Sequence, residues 1–148
     1  MSLGDEAAFY RAALLLGLIR GDEVIRWADS VLGEDEAPAA FAEIATTPPD
    51  DLTLLRERLF ALSGDKVSAA VVGRLVGLIH RDLASGRRSF PDSMTVLKQM
   101  RAFIALDRDR DLNEQLKALG VAVAVTVPGS PERAAAERHV RDWLQQRA

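Results

Sequence analysis

The sequence predicts an all-α fold: a single domain over residues 1–148, built as a bundle or short array of about seven to eight helices packed around a central apolar helix, Val67 to Ile79. Three observations carry this expectation. Apolar residues recur at spacings of three and four along most of the chain, and helix start and stop residues fall between the stripes. The run from Val67 to Ile79 is apolar almost all the way round, which suits a helix surrounded by others. Finally, with 148 residues and 48% of them hydrophobic, the chain is long enough to bury a core without disulfides.

In the first segment, Ala8, Ala12, Leu15, Leu16 and Ile19 mark one helix face, and Arg20-Gly21 offers a cation and a glycine stop. Asp22 is placed to cap a second helix with the stripe Val24, Ile25, Ala28, Val31 and Leu32. Pro38 suits the first turn of a short third helix containing Phe41 and Ile44, before "TTPPDD" breaks the chain. Asp50 or Asp51 caps a fourth helix that turns Leu52, Leu55, Leu59 and Leu62 inward.

The central helix follows Ser63-Gly64-Asp65. Its Gly73 and Gly77 each cost about 1 kcal/mol relative to alanine in a helix interior, so they are expected to admit a closely packed neighbour. After "SGRRSFPDS", a sixth helix points Met94, Leu97, Met100 and Ile104 inward. "GVAVAVTV" alternates like a strand, yet no second strand exists to pair with it; a helix from about Leu112 that runs into residues 121–127 is the preferred reading, and pairing with a symmetry mate the alternative. Ser130, Pro131 and Glu132 open the last helix, whose inner stripe is Ala136, Val140, Trp143 and Leu144. "RAALLLGLIR" and "GRLVGLIHR" share Gly-Leu-Ile, but irregular spacing and missing repeat signatures argue for coincidence over duplication.

Composition removes several kinds of chemistry. Without cysteine there is no disulfide, thiolate metal site or cysteine nucleophile. The N-terminus has neither a basic leader nor an apolar signal core, and the longest apolar run falls short of the roughly 20 residues of a membrane span, so a cytoplasmic protein without a membrane partner is expected. The closest approach to a chemical motif is "ALDRDRDLNEQ". A calcium loop starting at Asp107 would need glycine at position 6 and glutamate at position 12, where Leu112 and Ala118 stand. A helical turn fits better, with Asp107, Asp111 and Glu114 on one face and Arg108, Arg110 and Lys117 interleaved. No metal and no cofactor are therefore expected.

The two histidines, His80 and His139, have no second imidazole or carboxylate four residues away, and serine-hydrolase, phosphate-loop and dinucleotide signatures are absent. No catalytic residue is assigned. Charge is the more informative signal. Residues 1–65 hold thirteen acids against five arginines, a formal −8, which leaves +5 for the remainder of a chain whose net charge is −3. An acidic N-terminal half can steer a basic partner. Its candidate contacts are Glu34, Asp35 and Glu36, with Trp27 at the margin of its helix stripe as either a core-edge residue or the centre of a binding patch.

The expected function is thus a bacterial-type, non-enzymatic protein-protein interaction module, adaptor-like or immunity-like, bound to another protein or to a second copy as a homodimer. One alternative is a small enzyme or ligand-binding protein with a cleft near Trp27, His80 or His139. Another is a nucleic-acid-binding regulator using Arg81, Arg87 and Arg88, with Phe90 available to stack a base. A sequence pI near 5.4 and 5% aromatic content argue against a nucleic-acid partner.

Overall fold

The computed structural model describes residues 1–65, 67–104 and 110–148, except the side chains of 103 and 104. Among these residues it is all-helical, with eight helices and no strand: α1 (Leu3–Leu15), α2 (Gly21–Leu32), α3 (Ala40–Ala45), α4 (Leu52–Ser63), α5 (Ala69–Ala84), α6 (Phe90–Ile104), α7 (Arg110–Ala124) and α8 (Pro131–Arg147). The chain forms two compact units, Met1–Val72 and Gly73–Ala148, divided just after the first turn of α5. No helix among the described residues is long and apolar enough to cross a membrane.

In the first unit, α1 packs on α4, α2 on α3, and α3 on α4. Ser2 caps α1, its hydroxyl accepting from the Asp5 N–H at 3.1 Å. The helix ends earlier than its apolar stripe suggests. Gly17 adopts φ +68°, the Gly17 N–H donates to the Leu14 carbonyl, and the Leu18 N–H donates to the Ala13 carbonyl. This glycine-stopped ending turns the chain four residues before Gly21, leaving Leu15 exposed and burying Leu16 and Leu18. Gly21 is not the stop but the first residue of α2. A Cβ there would lie 1.8 Å from the Pro49 carbonyl oxygen, so only glycine admits the backbone of the α3–α4 connection. Glu23, not Asp22, supplies the capping contact of α2, accepting from the Arg20 N–H at 2.8 Å.

Ala7, Leu14, Val24, Trp27, Ala28, Val31, Phe41, Ile44, Leu55 and Leu59 form one buried apolar cluster in this unit. Asp51 caps α4 by accepting from the Leu54 N–H at 3.2 Å. Leu52, the first residue beyond that cap, is exposed rather than turned inward. Arg58 on α4 donates to the Glu43 carbonyl at 2.6 Å and to the buried Thr47 hydroxyl, placing a cation at the C-terminal end of α3.

In the second unit, α6 packs on α7 and α7 on α8. The apolar run starts its helix, whose first turn belongs to the first unit, at Ala69 instead of Val67, with the Ser68 hydroxyl accepting from the Val71 N–H at 3.3 Å. Val71, Leu75, Val76 and Ile79 are fully buried, whereas Arg74 is exposed. The α5 glycines face the end of α8, but Cβ atoms at Gly73 and Gly77 would meet the Arg147 carbonyl at 3.9 Å and Ala148 at 3.8 Å, ordinary van der Waals distances that alanine would also permit. On α6, Leu97 and Met100 are buried and Met94 is half-buried; the side chain of Ile104 lies outside the described residues.

Residues 110–124 form a continuous helix through "GVAVA", so the alternating valines do not make a strand. Leu112, Leu116, Leu119 and Val123 point inward. The carboxamide oxygen of Gln115 accepts from Trp143 Nε1 at 3.0 Å and from the Arg147 guanidinium, joining α7 to α8. α8 opens as its sequence predicts, with the Ser130 hydroxyl accepting from the Arg133 N–H at 3.1 Å and Pro131 in the first turn.

Candidate functional site

The acidic turn grows out of the C-terminal end of α2. Gly33 closes the helix, its N–H donating to the Asp29 carbonyl at 3.2 Å, and the Glu34 N–H donates to the Val31 carbonyl at 3.0 Å. Glu34, Asp35 and Glu36 follow directly, all exposed. Glu36 takes φ +64°, the one non-glycine residue with positive φ among those described. That conformation costs a residue with a Cβ roughly 1–2 kcal/mol.

Electrostatics makes the turn unusual. The C-terminal end of a helix carries a partial negative charge and favours cations, at about 0.3–1 kcal/mol each. Here no basic residue occupies the last turn of α2, and three carboxylates stand immediately beyond it, with Asp29 exposed one turn earlier. The ion pairs seen among the described residues, such as those of Arg20 and Arg26 with Asp22, do not involve Glu34, Asp35 or Glu36. Like charges are therefore concentrated where folding disfavours them. Chemically, the arrangement suits lysine or arginine side chains arriving from outside.

Trp27 lies in the core of the first unit, with 8% of its surface exposed. Its ring stacks on Tyr10 at 4.5 Å and meets the edge of Phe41 at 5.1 Å. The indole Nε1–H is buried and has no acceptor among the described residues. So placed, Trp27 is a core residue and does not present its ring as a contact surface.

The basic segment sits at the C-terminal end of α5. Arg81 and Arg87 are exposed and Arg88 is half-buried, positions that complement the negative end of α5. The Arg88 N–H donates to the Asp82 carbonyl at 3.0 Å, which closes the turn. Sequence reasoning passed over Asp82, which is buried within this segment, 4.0 Å from Arg81 Nε, with an Oδ1 that has no hydrogen-bond partner among the described residues. Only its position between Arg81 and Leu83, on the inward side of the stripe, signals that burial. Phe90 is buried, so its ring is not available to stack a base.

His80 is half-buried on α5 and His139 exposed on α8. Trp27 belongs to the first compact unit and both histidines to the second. No group of three histidine or acidic side chains among the described residues is placed to hold a metal ion. Asp107 and Asp109 lie outside the described residues; Asp111 and Glu114 are exposed on α7 together with Arg110 and Lys117.

Elsewhere in the first unit, the acid constant of Arg11 is displaced. Burial lowers it from the usual arginine value, and the charge of Asp65 partly opposes the shift. Its guanidinium lies 4.9 Å from the centre of the exposed Phe60 ring. No protein-family model, curated protein or solved structure matches the chain.

Proposed function

We propose that this protein is a non-enzymatic interaction module whose first unit binds a basic partner, another protein or a second copy of the chain, through the acidic turn Glu34-Asp35-Glu36. The observation that carries this reading is the placement of three exposed carboxylates, without an ion pair among the described residues, at the negative end of α2, an arrangement that works against folding. A cationic partner would relieve that repulsion.

The distribution of charge over the two units adds support. Met1–Val72 holds thirteen acidic and six basic residues, a formal −7, and Gly73–Ala148 holds nine acidic and thirteen basic residues, a formal +4. These values sum to the −3 of the whole chain. The acidic excess thus coincides with one compact unit, which gives a long-range field a definite origin.

Quantitative capture of binding partners by the wild-type protein and by E34K/D35K/E36K tests the reading. A loss of recovery of about tenfold or more for the triple variant is expected, since mismatched charges at an interface are costly. Equal recovery of the same partners by both proteins would overturn it.

A further inference from the structure

No further inference is drawn: the strongest candidate, the exposed valines Val121, Val125 and Val127 at the C-terminal end of α7 and in the turn after it, carries nothing because no feature of the structure shows what covers them.

Discussion

At Trp27 two effects oppose each other. The ring supplies much of the aromatic packing of the first unit, while its buried N–H lacks an acceptor among the described residues. Removing a large buried aromatic costs about 3–5 kcal/mol, and burying an unsatisfied donor costs about 1–3 kcal/mol. Trp27→Ala should therefore lower the unfolding free energy by about 3–5 kcal/mol, because packing dominates. Trp27→Phe keeps a ring and deletes the donor, so the two terms nearly cancel and the change should stay within about 1 kcal/mol. Urea denaturation of both variants measures the difference; equal losses would show that the indole N–H matters as much as the ring. Gly21 poses a simpler problem, because the atom that a Cβ would strike is the Pro49 backbone oxygen and no rotamer change can move it away. Alanine has the better helix propensity, by about 1 kcal/mol, but overpacking costs about 1–3 kcal/mol and the contact here is severe. Gly21→Ala should destabilise by about 2 kcal/mol in the same assay, and a stabilised variant would refute the close approach.

At the scale of the helix, the turn after α2 allows a test of whether its acids serve folding. If the three acids after it were structural, reversing their charge would destabilise the protein. If they oppose the helix dipole, E34K/D35K/E36K should be as stable as wild type or more stable, by up to about 1 kcal/mol. Thermal or urea unfolding of the purified variant decides between these, and a loss beyond about 1 kcal/mol would assign the acids to the turn itself. Much of the helical pattern was legible in the sequence. Phe41 and Ile44 on α3, Leu55 and Leu59 on α4, and Ser130-Pro131 at the start of α8 all fall where spacing and cap chemistry put them. The misreadings include Leu52, which is exposed, and the start of α5 at Ala69, and they are concentrated between α1 and α2. Leu16 and Ile19 continue the helical spacing, but Gly17 could take the left-handed conformation and ended α1 first. Likewise, Gly21 resembled a stop because its real constraint, the Pro49 carbonyl, is distant in sequence. The valines of residues 121–127 look strand-like by propensity, yet an unpaired strand has no partner for its backbone, and the helix persists through Ala124.

For the whole molecule, the acidic excess was legible as a lopsided charge count, but its confinement to one compact unit required the fold. The turn Glu34-Asp35-Glu36 could be named from the sequence as a loop; its position against the negative end of α2 and its lack of an ion pair among the described residues could not. Trp27 shows the opposite limit. A residue at the margin of a stripe can face either way, and here α3 supplies Phe41 to cover it. The central claim is that the first unit recognises its partner by charge, which is screened over about 10 Å at 0.1 M salt and about 3 Å at 1 M. Its most direct test is the dissociation constant of the captured complex, measured for wild type and E34K/D35K/E36K from about 0.05 to 0.5 M salt. The account predicts wild-type binding that weakens steadily as salt rises, and residual binding by the variant that does not. Affinity independent of salt, and equal for the two proteins, would contradict it.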